Sequence, residues 1–226
     1  MGCNTTYQHQ WLDGSTIDLP VGKAVCVGRN YADHAKELNN PVPSEPILFI
    51  KPTTGIVPLS PQFAIPAQQG ECHHEAEIAL LIGAPLSKAD VAEVIDAIVG
   101  VGVALDLTLR DLQSTLKEKG HPWERAKAFD GSCPLSPFVP MAEFADLKAV
   151  DIALTVNGDV RQQGNSSAML FPMIELVAHI SHWFTLQPGD VVLTGTPAGV
   201  AALQSGDELE LRLAERWAFA STVTAR

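Results

Sequence analysis

Short apolar runs alternate with turns rich in proline and glycine along the whole chain, and this pattern predicts many short β-strands. The predicted strands are Ala24–Gly28, Ile47–Lys51, Glu75–Gly83, Gly100–Asp106, Ile152–Asn157, Asp190–Gly195, Glu208–Leu213 and Trp217–Val223. Asn157-Gly158 and Pro188-Gly189 are turn signals beside two of these runs.

Four segments have the apolar spacing that is typical of amphipathic helices, namely Asn30–Leu38, Lys88–Val99, Leu107–Lys119 and Ala168–Phe184. Asn30 is the expected N-cap of the first helix, and Ser87 with Asp90 resembles a capping box for the second. One face of the second helix is predicted to be apolar, with Val91, Val94, Ile95 and Ile98. Gly120 suits the position just after the end of the third helix.

The predicted strands outnumber the helices and do not alternate strictly with them. This order favours an α+β architecture that is predominantly β over a doubly wound parallel sheet. No dinucleotide-binding or phosphate-loop motif follows any strand, and the stretch TGTPAGV resembles a phosphate loop only in its glycines. Since there is no repeat or linker, we predict one domain over residues 1–226, with residues 1–22 as an N-terminal extension of unknown role.

Composition and charge narrow the function classes. The 226 residues are 46% hydrophobic and 18% charged, which suits a globular protein with a buried core. The net charge of −11 gives no counterion-release affinity for nucleic acid, so a nucleic-acid partner is not expected. No apolar run is long enough to span a membrane, and the first residues lack the regions of a secretion signal. We therefore expect a cytoplasmic protein with no membrane partner.

The four cysteines, Cys3, Cys26, Cys72 and Cys133, form no Cys-x-x-Cys pair, so zinc-ribbon and thioredoxin-type sites have no support. Cys26 and Cys133 lie in or beside apolar runs. Buried, reduced thiols are the expected state for these two residues.

The segment HHEAEIALLIG places two glutamates at the start of an apolar strand. Because side chains alternate along a strand, Glu75 and Glu77 project from one face. Burying two neighbouring carboxylates is costly without compensation, and Mg²⁺ or Ca²⁺ takes such oxygen ligands. The same pattern also occurs on the exposed face of an edge strand. His73 is on the same face and could be a fourth metal ligand. Because Mg²⁺ prefers oxygen ligands, His73 is more readily interpreted as a hydrogen-bonding neighbour of the site.

A third carboxylate, Asp106, ends an apolar strand in VGVALDLTLRDLQ. With the predicted helix starting at Leu107, the spacing of Asp106, Arg110 and Gln113 brings all three to one helical face. They could point into one site, where Asp106 would complete an octahedral Mg²⁺ site with Glu75 and Glu77. A helix-capping aspartate in a surface ion pair with Arg110 has the same spacing, so that alternative stays open.

An acid–base pair is predicted from CVGRNYADHAKEL, where His34 and Glu37 are three residues apart on a short helix. Glu37 can hydrogen-bond one imidazole nitrogen and raise the basicity of the other. An incidental pair on a surface helix is equally compatible. Lys127, flanked by small or apolar residues, could stabilise an enolate or oxyanion, although most lysines are simply solvated.

Seven stretches occur in a familiar order between about Val25 and Leu211. They are GRNYADHAKEL, PILFIKPTT, HHEAEIALLIG, ALDLTLRDLQ, KGHPWERAKAFDGSCPLSPFVP, VNGDVRQQGNSSAM and PGDVVLTGTPAGV. In this order they resemble the fumarylacetoacetate hydrolase family, especially its small single-domain branch of acylpyruvate hydrolases, oxaloacetate decarboxylases and oxaloacetate tautomerases. The resemblance implies a mixed β-sandwich roll with a few short helices, and a homodimer.

The resemblance also implies roles for individual residues. The metal ligands would be Glu75, Glu77 and Asp106, holding Mg²⁺ with Mn²⁺ or Ca²⁺ as substitutes. The catalytic residues would be His34, Glu37 and Lys127, with the first two on a segment that acts as a lid. The residues that contact substrate or line its pocket would be Arg29, Lys51, Arg110, Gln113 and Thr196.

These residues predict a Mg²⁺-dependent hydrolase that cleaves a carbon–carbon bond of a 2,4-dioxo acid, of acylpyruvate or fumarylpyruvate type, through a metal-stabilised pyruvate enolate. His34, oriented by Glu37, would activate the water. The same site supports an alternative, an oxaloacetate keto–enol tautomerase or decarboxylase, or an isomerase of 2-hydroxyhepta-2,4-diene-1,7-dioate type. A non-catalytic metal-binding scaffold is the more distant alternative. The expected partner is a small 2-oxo acid.

Overall fold

The computed structural model describes residues 7–37 and 42–226 and contains sixteen β-strands and five α-helices within those ranges. The first eight strands are β1 (Ala24–Gly28), β2 (Ile47–Lys51), β3 (Ile56–Pro58), β4 (Gln62–Ile65), β5 (Cys72–His74), β6 (Ala76–Ile82), β7 (Ile98–Leu105) and β8 (Thr108–Leu109). The last eight are β9 (Cys133–Leu135), β10 (Val139–Pro140), β11 (Asp151–Val156), β12 (Asp159–Asn165), β13 (Val191–Leu193), β14 (Ala201–Ala202), β15 (Glu208–Leu213) and β16 (Trp217–Ala225). The helices are α1 (Ala32–Glu37), α2 (Val91–Ala97), α3 (Arg110–Glu118), α4 (Glu124–Lys127) and α5 (Met173–Trp183).

The strands form three sheets. The largest has eight strands in the order β2-β1-β13-β6-β7-β9-β3, and β10 also pairs with β7. A second sheet has the order β12-β11-β15-β16-β4, and a small third sheet has the order β14-β5-β8. Parallel pairs such as β1–β13 and antiparallel pairs such as β6–β7 occur in the same sheet. The predominantly β, mixed architecture predicted from the sequence is therefore confirmed.

The largest sheet is buried on both faces, which explains why its central strands are continuously apolar. Along β1, Val25 and Val27 pack into the main core between the sheets, whereas Ala24 and Cys26 pack into a second cluster on the opposite face. The N-terminal residues help to cover that second face, since the buried Ile17 belongs to the same cluster. The part of the predicted N-terminal extension at residues 7–22 is thus packed against the sheet, and residues 1–6 lie outside the described residues.

All eight predicted strands correspond to observed ones, and β1, β2 and β15 have the predicted bounds. The predicted turn at Asn157-Gly158 joins β11 to β12, and both residues have positive φ (54° and 86°), as a tight hairpin requires. Cys26 and Cys133 are buried free thiols, as predicted, and Cys3 lies outside the described residues. Within residues 7–37 and 42–226, no helix is long and apolar enough to cross a membrane.

The predicted helix caps need correction. Asn30 does not cap α1, because its side-chain amide donates to the backbone carbonyls of Phe171 and Thr194. The helix begins later, at Ala32, and Leu38 lies outside the described residues. For α2 the capping box is formed by Asp90 and Glu93, so Ser87 is not the cap.

The apolar face predicted for α2 is only partly buried. The helix ends at Ala97, where the chain turns directly into β7, so Ile98 belongs to the strand. Val94 is buried, but Val91 is 44% and Ile95 is 49% exposed. The prediction of α5 is confirmed, but the helix starts later, at Met173, because Pro172 precedes its first turn, and it ends one residue earlier, at Trp183. The end of α3 before Gly120, whose φ is +63°, is also as predicted.

Candidate metal and substrate site

Three carboxylates meet at one end of the β6–β7 strand pair. Glu77 lies in β6 and pairs with Ala104 of β7. Glu75 directly precedes β6, and its carbonyl accepts a hydrogen bond from the backbone N–H of Asp106 at 2.8 Å. Because side chains alternate along a strand, Glu75 and Glu77 share a face, and Asp106 continues the row of Ala104 on the neighbouring strand. The sequence pattern therefore brings the three side chains together as predicted.

The carboxylate triad (Glu75, Glu77 and Asp106) has the geometry of a cation site. One oxygen atom from each carboxylate lies within 4.8 Å of the others, and the three residues are only 5%, 1% and 1% exposed. The alternative of a solvated Glu-x-Glu pair on an edge strand is thus wrong. Hard divalent cations such as Mg²⁺ or Mn²⁺ bind sets of carboxylate oxygens. The triad is a candidate site for a divalent metal ion.

The electrostatic environment of Glu77 tests whether these residues suit a divalent cation. Glu77 accepts a hydrogen bond from the backbone N–H of Gly195 at 2.6 Å. Burial raises the pKa of Glu77 well above its ordinary value, and the charges of Asp106 and Glu75 raise it further. A divalent cation would supply the positive charge that this carboxylate needs to remain ionised, so the residues present suit such an ion.

Glu75 is in the opposite electrostatic situation. Burial alone would raise the pKa of Glu75, but the positive charges of Lys127 and Arg110 outweigh it and lower that pKa well below its ordinary value. Arg110 Nη2 donates to Glu75 Oε1 at 2.5 Å. Lys127 Nζ donates to Glu75 Oε2 at 2.9 Å and to Asp106 Oδ2 at 2.6 Å. The two carboxylates raise the pKa of Lys127 against the opposing effect of burial, so Lys127 stays protonated.

Lys51 lies behind the triad. Its side chain has no exposed surface, and Nζ lies 2.8 Å from Asp106 Oδ1. Nζ also donates to the backbone carbonyl of Lys127. The pocket above the triad is lined by other residues, so the structure places Lys51 beneath the pocket and not on its wall. This position differs from the predicted one because β2 presents Lys51 next to Ala24 at the inner end of the sheet.

Helix α3 brings polar side chains to the pocket. Arg110 Nη1 donates to Gln113 Oε1 at 2.7 Å, and both residues line the pocket as predicted. The predicted helix from Leu107 is wrong in its start, because β8 separates Asp106 from α3. Asp106 therefore reaches the site from the end of β7, and the alternative of a helix-capping aspartate is excluded.

The predicted acid–base pair is formed on α1. His34 Nδ1 donates to Glu37 Oε2 at 3.1 Å, and His34 lines the pocket with 4% of its surface exposed. The second oxygen of Glu37 accepts a hydrogen bond from the backbone N–H of Gly199 at 2.9 Å. This arrangement fixes the imidazole ring and leaves Nε2 as its free nitrogen. An incidental pair on an exposed helix face would not bury the histidine.

Thr196 lines the pocket as predicted, and Gln162 holds it there. Gln162 Nε2 donates to Thr196 Oγ1 at 2.7 Å, while its Oε1 accepts from His74 Nδ1 at 2.9 Å. Gln162 belongs to the second sheet and has no exposed surface. Sequence reasoning missed it, because a glutamine in a polar segment carries no pattern that signals burial. His73 is not one of the triad's clustered groups, but it is a hydrogen-bonding neighbour, the second of its two predicted alternatives. Its Nδ1 accepts from Arg110 Nε at 3.5 Å, and its Nε2 donates to Glu71 at 3.0 Å.

The pocket wall contains both predicted residues and residues that were not predicted. Arg29 lines it as predicted, and Phe49, Lys117 and Trp123 do so without having been predicted. The resulting cleft has a charged floor, a basic side and an aromatic wall. It suits a small anion that can also reach the triad.

Comparison with known proteins identifies the family. The chain matches the fumarylacetoacetate (FAA) hydrolase C-terminal family over residues 23–224 and belongs to it, so the resemblance and the predicted fold type are confirmed. An oxaloacetate tautomerase of Escherichia coli is 55% identical over 204 residues, which are 90% of this chain and 93% of that protein. A mitochondrial oxaloacetate tautomerase of Rattus norvegicus is 44% identical over 186 residues, 82% of this chain and 84% of that protein.

A solved structure of a related protein contains a divalent metal ion. The crystal structure of fumarylpyruvate hydrolase from Pseudomonas aeruginosa, in complex with Mn²⁺ and pyruvate, has a TM-score of 0.91 and 33% identity to this chain. The match covers 100% of this chain and 99% of that one. The family consists of enzymes, with hydrolase and tautomerase names among these relatives. The Mn²⁺ in that hydrolase and the carboxylate triad here both point to a divalent metal.

Proposed function

We propose that this protein is a metal-dependent oxaloacetate keto–enol tautomerase. The observation that carries the proposal is its 55% identity, over nine-tenths of the chain, to the Escherichia coli oxaloacetate tautomerase. The pocket supports it, because tautomerisation needs an anion-binding cleft and a base that moves one proton. The relatives thus favour the alternative over the carbon–carbon hydrolase that the motifs were taken to indicate.

Glu75, Glu77 and Asp106 are the proposed metal ligands, with Mg²⁺ as the proposed ion and Mn²⁺ or Ca²⁺ as substitutes. When bound there, a divalent cation supplies Lewis acidity toward the 2-oxo oxygen of the substrate. Lys127 lies against two of these carboxylates, so it orients them and brings its own positive charge to the same place.

The remaining side chains bind the substrate and move the proton. Arg110 and Gln113 form a fixed pair on α3 that suits the carboxylate next to the 2-oxo group. His34 is the proposed proton carrier, because Glu37 binds its Nδ1 and its ring lines the pocket. Nε2 would accept the proton of the enol hydroxyl and then deliver a proton to C3, which converts the enol to the keto form. Lys127 stabilises negative charge on the substrate oxygen.

Hydrolysis of a 2,4-dioxo acid is the second candidate function. The same His34–Glu37 pair could activate a water molecule, and the fumarylpyruvate hydrolase of Pseudomonas aeruginosa has a similar fold. The two reactions differ in their products, because only hydrolysis releases pyruvate from a dioxo acid. Decarboxylation of oxaloacetate would release carbon dioxide.

The test uses metal-stripped protein with oxaloacetate or acetylpyruvate, with and without Mg²⁺. Loss of enol absorbance, pyruvate and carbon dioxide are measured separately. We expect Mg²⁺-dependent enol loss from oxaloacetate with neither product, and little activity in Glu75→Ala. Asp96→Asn, which removes an exposed carboxylate from α2, should behave as the wild type. Mg²⁺-dependent pyruvate release from acetylpyruvate, without rapid enol loss from oxaloacetate, would make the protein a hydrolase instead.

The homodimer stays a prediction.

A further inference from the structure

The pocket has two basic side chains that the proposed proton transfer does not use. Arg29 and Lys117 both line the pocket that contains Glu75, Arg110 and Lys127. The ion pairs of the carboxylate triad are made by Arg110, Lys127 and Lys51. Arg29 and Lys117 bring further positive charge to the same cleft.

Helix α3 spaces its polar residues along one face. Arg110, Gln113 and Lys117 are three and seven residues apart, so they lie on the same side of the helix. With a rise of about 1.5 Å per residue, Lys117 lies roughly 6 Å further along the axis than Gln113. A four-carbon dicarboxylate has three carbon–carbon bonds of about 1.5 Å between its carboxyl carbons, so these carbons are roughly 4 Å apart. Helical side chains lean toward the N-terminus of the helix, so the long Lys117 side chain can reach back over the difference. If Arg110 and Gln113 bind one carboxylate, Lys117 lies where the other would be.

Arg29 reaches the pocket from the segment that follows β1, on a constrained backbone. Its φ is +62°, in the left-handed region that few residues other than glycine adopt. The next residue, Asn30, fixes this conformation, because its side chain is hydrogen-bonded to the backbone of Phe171 and Thr194. A strained residue that is held in this way at a pocket wall is typical of a functional site.

The local charge of this region also favours an anion. Burial lowers the pKa of Lys117, the neighbouring positive charges of Arg29 and Arg110 lower it further, and the charge of Glu75 opposes them only in part. Burial lowers the pKa of Arg29 as well. Cations that repel one another in a partly desolvated cleft are stabilised when an anion binds between them.

We propose that Arg29 and Lys117 form a second anion subsite, which binds the distal carboxylate of a dicarboxylic 2-oxo acid. The inference rests on the proposed function for the position of the first carboxylate. It deepens that function, because the subsite would select dicarboxylates such as oxaloacetate over 2-oxo acids with an uncharged end. Arg29 and Lys117 are thus specificity-determining residues and are not part of the proton transfer.

The test is a comparison of two ligands that differ in the distal carboxylate. Oxaloacetate and 2-oxobutanoate are titrated by calorimetry into the wild type, Lys117→Met and Lys117→Arg, each with saturating Mg²⁺. We expect the wild type to bind oxaloacetate more tightly, and Lys117→Met to lose roughly three- to tenfold of that preference, the size of one charge-assisted hydrogen bond at a half-exposed site. Binding of 2-oxobutanoate should change less than about twofold. Lys117→Arg should retain the preference.

The control is Lys119→Met, which removes an exposed lysine from the end of the same helix without touching the pocket. Arg29→Asn, which keeps a residue that tolerates positive φ, should reduce the preference as Lys117→Met does. An unchanged ratio in both Lys117→Met and Arg29→Asn, or equal weakening of both ligands, would overturn the proposal. Because these are binding measurements, they can succeed even if turnover shows that the protein is not a tautomerase.

Discussion

The floor of the pocket and the helix above it hold their charges in different ways. The floor consists of Lys51, Glu75, Glu77, Asp106 and Lys127, none of which is more than 5% exposed. Each of its carboxylates is fixed by a strand or a strand end and is paired with a lysine, an arginine or a backbone N–H. Removal of one member would leave another charge buried without its partner.

Helix α1, which the family resemblance implies to be a lid, holds its charges more loosely. It is one short helix, and the Glu37 side chain is 32% exposed. Glu37 accepts hydrogen bonds from His34 Nδ1 and from the backbone N–H of Gly199. The comparison indicates a division of labour, in which the two regions have different roles. The floor of the pocket determines stability and metal binding, and α1 determines proton transfer. Substitutions in the two regions should therefore separate these properties.

The largest effect is expected for Asp106→Asn. This change removes the charge that lies between Lys51 and Lys127, so we expect a loss of about 3–5 kcal/mol in the free energy of unfolding. As a proposed metal ligand, Asp106 should also matter for Mg²⁺ affinity, with a loss above the roughly hundredfold seen for outer partners of metal sites. Denaturant unfolding and Mg²⁺ titration measure the two effects. Wild-type Mg²⁺ affinity in this variant would remove Asp106 from the ligand set.

The next largest effect is expected for Lys51→Met. It leaves Asp106 buried with Lys127 as its remaining basic partner, so we expect a loss of about 3 kcal/mol in stability. Because Lys51 lies outside the pocket wall, KM for oxaloacetate should change little. Lys148→Met, at an exposed position, is the matched control. A large change in KM with unchanged stability would show that Lys51 acts on the substrate itself.

A substitution in α1 is expected to reduce activity strongly and stability very little, the reverse of the result for the pocket floor. Glu37→Gln keeps the shape of the side chain but loses the charge that orients and polarises His34, so kcat should fall by roughly 10- to 100-fold. The melting temperature should stay within about 2 °C, because Glu37 is partly exposed. Lys36→Gln, on the same helix, should leave kcat unchanged. If Glu37→Gln destabilises the fold as much as Asp106→Asn does, the proposed division of labour is wrong.

The smallest effect concerns pH in the metal-free protein. The folded state holds the proton of Glu77 more tightly than the unfolded state does, since burial and then Asp106 and Glu75 raise its pKa above the ordinary value of 4.5. Stability should therefore fall as pH rises from that value through the raised pKa. Glu75, whose pKa is lowered, acts in the opposite direction and only below pH 4.5. Mg²⁺ should abolish the loss above pH 4.5, and so should Glu77→Gln, as thermal melts at several pH values would reveal.

Much of the floor could be predicted from the sequence because strand periodicity is a local property. The alternation of Glu75 and Glu77 and the position of Asp106 at the end of an apolar run indicated a shared site, and the family resemblance chose this interpretation over the exposed alternatives. The element that positions Asp106, the end of β7, was not predictable in the same way. The two residues of β8 are a strand only because they pair with β5, and that contact is not visible in local spacing.

Long-range contacts also explain the other misses. The residues of β12 are mostly polar, so nothing local marks Gln162 as buried between the two sheets. Asn30 has the residue type of a helix cap, but contacts more than a hundred residues away determine its actual partners. The position of Lys51 beneath the triad depends likewise on how β2 pairs with β1.

Proton transfer to C3 of oxaloacetate is the central claim, and isotope exchange tests it most directly. Enol-oxaloacetate is added to the protein in D₂O, and deuterium at C3 and any pyruvate are followed in the same NMR spectra. We expect deuterium to enter C3 faster than with Mg²⁺ alone, to depend on both Mg²⁺ and Glu37, and to appear without pyruvate. A rate equal to the Mg²⁺ background, or pyruvate formed as fast as the enol disappears, would contradict the proposed tautomerase.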